Sequence, residues 1–107
     1  MTMARRHLPA EARFDVSKGT KADLFRGPGL FAGLNCFERG QAQRVHAHAD
    51  ADKFYFLVSG KARMQVGEET FDAVAGDLVW AQAGVPHGVL ETLERTVMLV
   101  AMGPPAG

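Results

Sequence analysis

With one cysteine, Cys36, the chain can close no internal disulfide and cannot build a zinc site from two or four thiolates. That is the thiol usage of a reducing compartment, so the expected location is the cytoplasm. Serine is almost as scarce: Ser17 and Ser59 are the only two, and neither stands in a strand-turn-helix nucleophile motif. Acyl transfer by a serine triad is therefore not expected. Neither sign of charge dominates, because 12 basic residues balance 12 acidic ones to a formal net charge of +0. Nothing here pulls the chain as a whole toward nucleic acid or an anionic membrane, and neither partner is expected. Arg5, Arg6 and Arg13 cluster near the start without a shaped basic face around them. Long apolar runs are absent; the longest, Val97 to Met102, is far too short to cross a bilayer, and no apolar segment of a secretion signal follows the opening Arg5-Arg6-His7. Gly27-Pro28-Gly29 is followed by no Lys-Ser or Lys-Thr pair, so it is not a phosphate-binding loop.

What the chain does have is punctuation. Twelve glycines and five prolines divide 107 residues so finely that helices of ordinary length have little room, while β-branched and alternating runs lie between the breaks. The expectation is an all-β single domain: a small antiparallel barrel or jelly roll. Strands are predicted around residues 23–26, 30–38, 43–48, 54–59, 62–66, 70–73, 77–81, 87–91 and 95–101. Residues 14–102 form the domain, 1–13 a flexible or partner-paired arm, and 103–107 a frayed tail. In Lys61 to Val66 the apolar Ala62, Met64 and Val66 alternate with Lys61, Arg63 and Gln65, the pattern of a strand with one wet face. Phe54 to Val58 and Val97 to Met102 are apolar on both faces, so each needs cover on both sides, and a second subunit in a homodimer would supply it. Gly40, Gly60, Gly67, Gly76 and Gly84 fall between predicted strands, where tight turns call for positive φ.

Three of the four histidines carry the chemistry. His46 and His48 are one residue apart, so on a strand both rings project from the same face and can converge on one ion. His87 follows the turn Ala83-Gly84-Val85-Pro86 on a distant strand that a barrel would bring opposite. Three neutral imidazoles with coordination positions left open describe a catalytic divalent transition-metal site, for iron, zinc, nickel or manganese. Solvated His-x-His pairs also occur on ordinary strands, and the surrounding sequence is what distinguishes the two cases.

That surrounding sequence resembles the cupin family of small β-barrels. The family's first motif, G-x5-H-x-H-x3,4-E-x6-G, is matched at Gly40, His46, His48 and Gly60, with Lys53 where the carboxylate is usual. Its second, G-x5-P-x-G-x2-H-x3-N, is matched at Gly76, Gly84 and His87, with Gln82 in the proline position and Glu91 in the asparagine position. The resemblance covers roughly Leu30 to Ala101. It implies a small oxygen-bearing molecule bound inside the barrel at a metal centre, and chemistry of dioxygenase, isomerase or lyase type; the alternative is a non-catalytic ligand-binding or sensor cupin, with or without metal.

Lys53 breaks the family's four-ligand set, since a protonated amine cannot bind a cation. Three readings stay open: a three-histidine centre as certain dioxygenase cupins have; a slip of register that puts Asp52 in the carboxylate position; or a Lys53 turned into the cavity as proton carrier or clamp for an anionic substrate. The bland alternative pairs Lys53 with Asp50 or Asp52 at the rim. Tyr55, two residues on, shares the face of Lys53 and completes the catalytic candidates. Phe37, Met64 and Trp80 are candidates for an apolar pocket wall or plain core, and Cys36 reads as a small buried hydrophobe.

Overall fold

A computed structural model of the chain describes residues 4–105. It contains one helical turn, α1 (Leu8–Glu11), and nine strands: β1 (Thr20–Arg26), β2 (Phe31–Phe37), β3 (Gln43–His46), β4 (Asp52–Ser59), β5 (Lys61–Val66), β6 (Glu69–Val74), β7 (Leu78–Ala81), β8 (His87–Thr92) and β9 (Thr96–Gly103). They pair antiparallel in two sheets, ordered β1-β2-β9-β4-β7 and β3-β8-β5-β6. This is the all-β jelly roll expected from the sequence. Alternation decides which side chains meet between the sheets. Tyr55 and Leu57 of β4, Met98 and Val100 of β9 and Val79 of β7 face Ala62 and Met64 of β5, Ala73 of β6 and Val89 of β8. Each fully buried Leu or Met of this layer contributes about 1.5–3 kcal/mol by leaving water. The five glycines that the spacing places in turns are the five glycines with positive φ among the described residues.

The outer face of the larger sheet carries a second apolar cluster, Leu24, Leu34, Cys36 and Val97, with Val58 and Leu99 packed against it. Its cover comes from the chain itself: Leu8, Ala12 and Phe14 lie on it, held by α1 and the segment that follows. The remaining outer residues of β4 and β7 stand in cross-strand pairs, Phe54 with Trp80 and Phe56 with Leu78. Leu78 is 65% and Trp80 55% exposed. Phe37 and Met64 belong to the layer between the sheets, whereas Trp80 points outward. The last strand runs through Gly103, which pairs with Asp52. Of the terminal segments set apart in the sequence, residues 1–3 and 106–107 lie outside the described residues.

Candidate metal centre

His46 closes β3 and His48 follows it, while His87 opens β8, and the register pairs His46 directly with His87. The three rings cluster at an angle to one another, with centroids 4.9 Å apart for His46 and His48, 4.6 Å for His46 and His87, and 5.7 Å for His48 and His87. One ligand nitrogen from each lies within 4.8 Å of the others. Two of the rings are locked by their own backbone. His46 Nδ1 donates to the Arg44 carbonyl at 2.8 Å and His87 Nδ1 to the Val85 carbonyl at 2.9 Å. A carbonyl can only accept, so the proton is fixed on Nδ1 and the lone pair on Nε2, as in metal-ligating histidines. His87 is 1% exposed and its Nε2 is buried with no hydrogen-bond partner. An acceptor stranded in this way costs about 1–3 kcal/mol, which a cation at the convergence of the rings would offset. Burial, followed by the Lys53 charge, lowers the pKa of His48; for His87 burial is again the leading cause, opposed by the Val85 carbonyl. Both rings are thereby held in the neutral form that ligates metal. The donor set fits a divalent transition metal.

Beside the rings opens a cavity of about 440 Å³, lined by Lys21 from β1, Asn35 from β2, Gln43 and Arg44 from β3, Lys53 from β4, and Val100 and Met102 from β9, with His46 and His48. Lys53 is turned inward and 6% exposed. Its Nζ lies 4.7 Å from the centre of the Tyr55 ring, and it makes no ion pair with Asp50 or Asp52. Burial, then the Lys21 charge, depresses its pKa from 10.5 to about 8. Asp52, one residue earlier, points the other way: it is exposed, and its Oδ1 accepts the Ala83 amide at 2.8 Å. The carboxylate therefore caps a turn and is not among the clustered metal-binding groups. Tyr55 is fully buried and its hydroxyl donates to Gln43 Oε1 at 2.7 Å. Burial raises its pKa, so the phenol stays protonated and holds the Gln43 amide in place.

Gln43 was not singled out by sequence reasoning, and the reason is local. Gln43 pairs with Val89 and His46 with His87, so three steps along β3 oppose two along β8. The extra residue is a bulge that turns Gln43 and His46 to the same cavity despite their odd spacing. The backbones come close there: a Cβ on Gly88 would sit 2.8 Å from Val45 Cα and 2.8 Å from the Gln43 carbonyl oxygen.

Residues 33–102, with both histidine stretches inside them, match the family described as Cupin domain. The chain belongs to the cupin family. This cupin is 33% identical over 95 residues to the uncharacterized protein SCO3923 of Streptomyces coelicolor, an alignment covering 89% of this chain and 90% of that one. Among solved structures it is similar to TT1209 from Thermus thermophilus, with a TM-score of 0.88 and 34% identity over 94% of this chain and 96% of the other. In fold it also matches an RmlC-like cupin from Desulfovibrio desulfuricans, with a TM-score of 0.85 and 24% identity over 95% and 98% of the two chains. KdgF from Halomonas matches in fold as well, with a TM-score of 0.80 and 23% identity over 86% and 84%. The cupin fold and the three-histidine cluster together support a metal-binding cupin.

Proposed function

We propose that this cupin is a metal-dependent enzyme acting on a small oxygen-bearing molecule, in a reaction of dioxygenase, isomerase or lyase type. The observation that carries the reading is the buried, unpartnered Nε2 of His87, fixed by its backbone bond to face two further imidazoles. His46, His48 and His87 would hold the ion, whether iron, zinc, nickel or manganese, and when bound it supplies Lewis acidity or oxygen activation. Lys53 is the catalytic candidate that lines the cavity, where its Nζ can hold or release a proton beside a bound molecule. Tyr55 does not line that cavity; it acts through Gln43, whose amide its hydroxyl fixes, and is a positioning residue. The face of half-buried Phe54 and Phe56 with exposed Leu78 and Trp80 favours a homodimer, and the single thiol of Cys36 favours a cytoplasmic setting.

The test is metal analysis of the untagged protein, with thermal melts in iron, zinc, nickel and manganese. Stoichiometric metal and a raised Tm are expected, both abolished by His46→Ala or His87→Ala and both kept by Lys53→Ala. Protein that carries no metal and gains no stability from any of the four ions refutes the reading. One observation favours a second reading, a non-catalytic ligand-binding cupin: an ammonium, Lys53, lines the cavity beside the imidazoles where a fourth ligand would otherwise stand. A metal-loaded protein that binds ligands and returns them unchanged in product assays would select it.

A further inference from the structure

The cavity beside the imidazoles has a one-sided charge inventory. Lys21, Arg44 and Lys53 line it, and no aspartate or glutamate does. The carboxylate adjacent to Lys53 in sequence, Asp52, faces away and accepts the Ala83 amide. Lys21 and Arg44 are exposed at the rim, but Lys53 is buried, and its ammonium has no hydrogen bond or ion pair among the described residues. With its stem buried, this ammonium meets solvent only through the cavity, and the face of the Tyr55 ring at 4.7 Å replaces little of the lost hydration, so an anion in the cavity would pair with it favourably. Among the neutral polar groups, Asn35 and the imidazoles bring acceptors, but Gln43 adds a further donor. The Tyr55 hydroxyl occupies Gln43 Oε1, which leaves Gln43 Nε2 as a buried N–H group with nothing to donate to. With neutral imidazoles and a divalent ion, the pocket would carry still more uncompensated positive charge.

We infer that the ligand of this cupin is a small anion, a carboxylate or phosphate whose oxygens pair with Lys53 between the histidine cluster and the Lys21 and Arg44 rim. The inference rests on the metal-site reading for where the rest of the ligand lies, but the Lys53 pairing can be measured without metal. Lys53 is the residue that selects charge; Lys21 and Arg44 steer the anion in, so binding weakens with salt.

The experiment is calorimetric titration of metal-loaded and metal-free protein with malonate, with inorganic phosphate, and with malonamide as the neutral counterpart of malonate. Malonate or phosphate is expected to bind at least about tenfold more tightly than malonamide, and the stronger of the two anions identifies the oxygen geometry preferred. In the metal-free protein Lys53→Met should lose that preference and Lys53→Arg should keep most of it, and both should load metal as the parent does. Equal binding of malonate and malonamide by the metal-free protein, or an anion preference there that survives Lys53→Met, overturns the inference even where metal binds, since a divalent ion favours anions by itself. Failure of metal loading with the preference intact in the metal-free protein instead refutes the metal reading and upholds the anion site.

Discussion

Lys53 is a largely buried ammonium that shares its cavity with the Lys21 and Arg44 cations and with no carboxylate, and its stability signature follows from that setting. Its pKa falls from 10.5 to about 8, burial being the main cause and Lys21 the second. In the metal-free protein the unfolded chain therefore binds more protons than the folded one between about pH 8 and pH 10.5, and stability rises with pH across that window. Below it the ammonium carries its full penalty, of order 3 kcal/mol at most. Lys53→Met should accordingly stabilise the metal-free protein at neutral pH, by about 1–3 kcal/mol, with the gain shrinking toward zero as pH approaches 10.5. Urea unfolding of both proteins at a series of pH values measures this. A gain independent of pH would mean that Met simply packs better.

The element that decides the site is the short strand β3 and its bulge against β8. Gly88 lies directly beneath it, and an alanine there would drive a Cβ into the Val45 and Gln43 backbone, atoms that cannot step aside as a side chain tip can. Gly88→Ala should destabilise the fold by about 1–3 kcal/mol, typical of overpacking, and should weaken metal binding by displacing His46. Thermal melts and metal titration of the variant are the checks, with Gly29→Ala, where a Cβ meets nothing within 4 Å and φ is not positive, as the control without a clash. The same bulge marks where the sequence stops being readable. Strands such as Lys61 to Val66 were legible because two-residue alternation is a local property, and the His46, His48 and His87 set because strand geometry and the turn before His87 imply it. Gln43 was hidden by an odd spacing that only the bulge makes productive. Lys21 and Asn35 were hidden for a different reason: they reach the cavity through the β1, β2 and β9 register, which long-range pairing sets. Whether Lys53 faced inward also lay beyond the motif, since Asp52 and Lys53 offered opposite faces and the Ala83 amide claims Asp52.

At the scale of the whole molecule, the outer face of the five-stranded sheet is divided in two. One half is closed by Leu8, Ala12 and Phe14, and Arg95 secures that closure, its guanidinium 3.6 Å from the centre of the Phe14 ring and 3.1 Å from Glu38. The other half, around Phe54, Phe56, Leu78 and Trp80, is only partly covered among the described residues: the two phenylalanines are half-buried and Leu78 and Trp80 are exposed. Doubly apolar strands thus find two different solutions, and the two are separable by experiment. Phe14→Ala removes a half-buried aromatic from a monomer's own core, so it should cost about 1–2 kcal/mol and lower Tm by roughly 5–10 °C without altering the mass in light scattering. Trp80→Glu places a charge on the partly covered half, so it should leave the unfolding of the isolated chain nearly unchanged while shifting a dimer to monomer. If Phe14→Ala instead dissociates the protein, the terminal segment belongs to the interface. If the parent chain is monomeric at high concentration, the Phe54 to Trp80 face is not a dimer contact, and its exposure has to be explained by another binding partner.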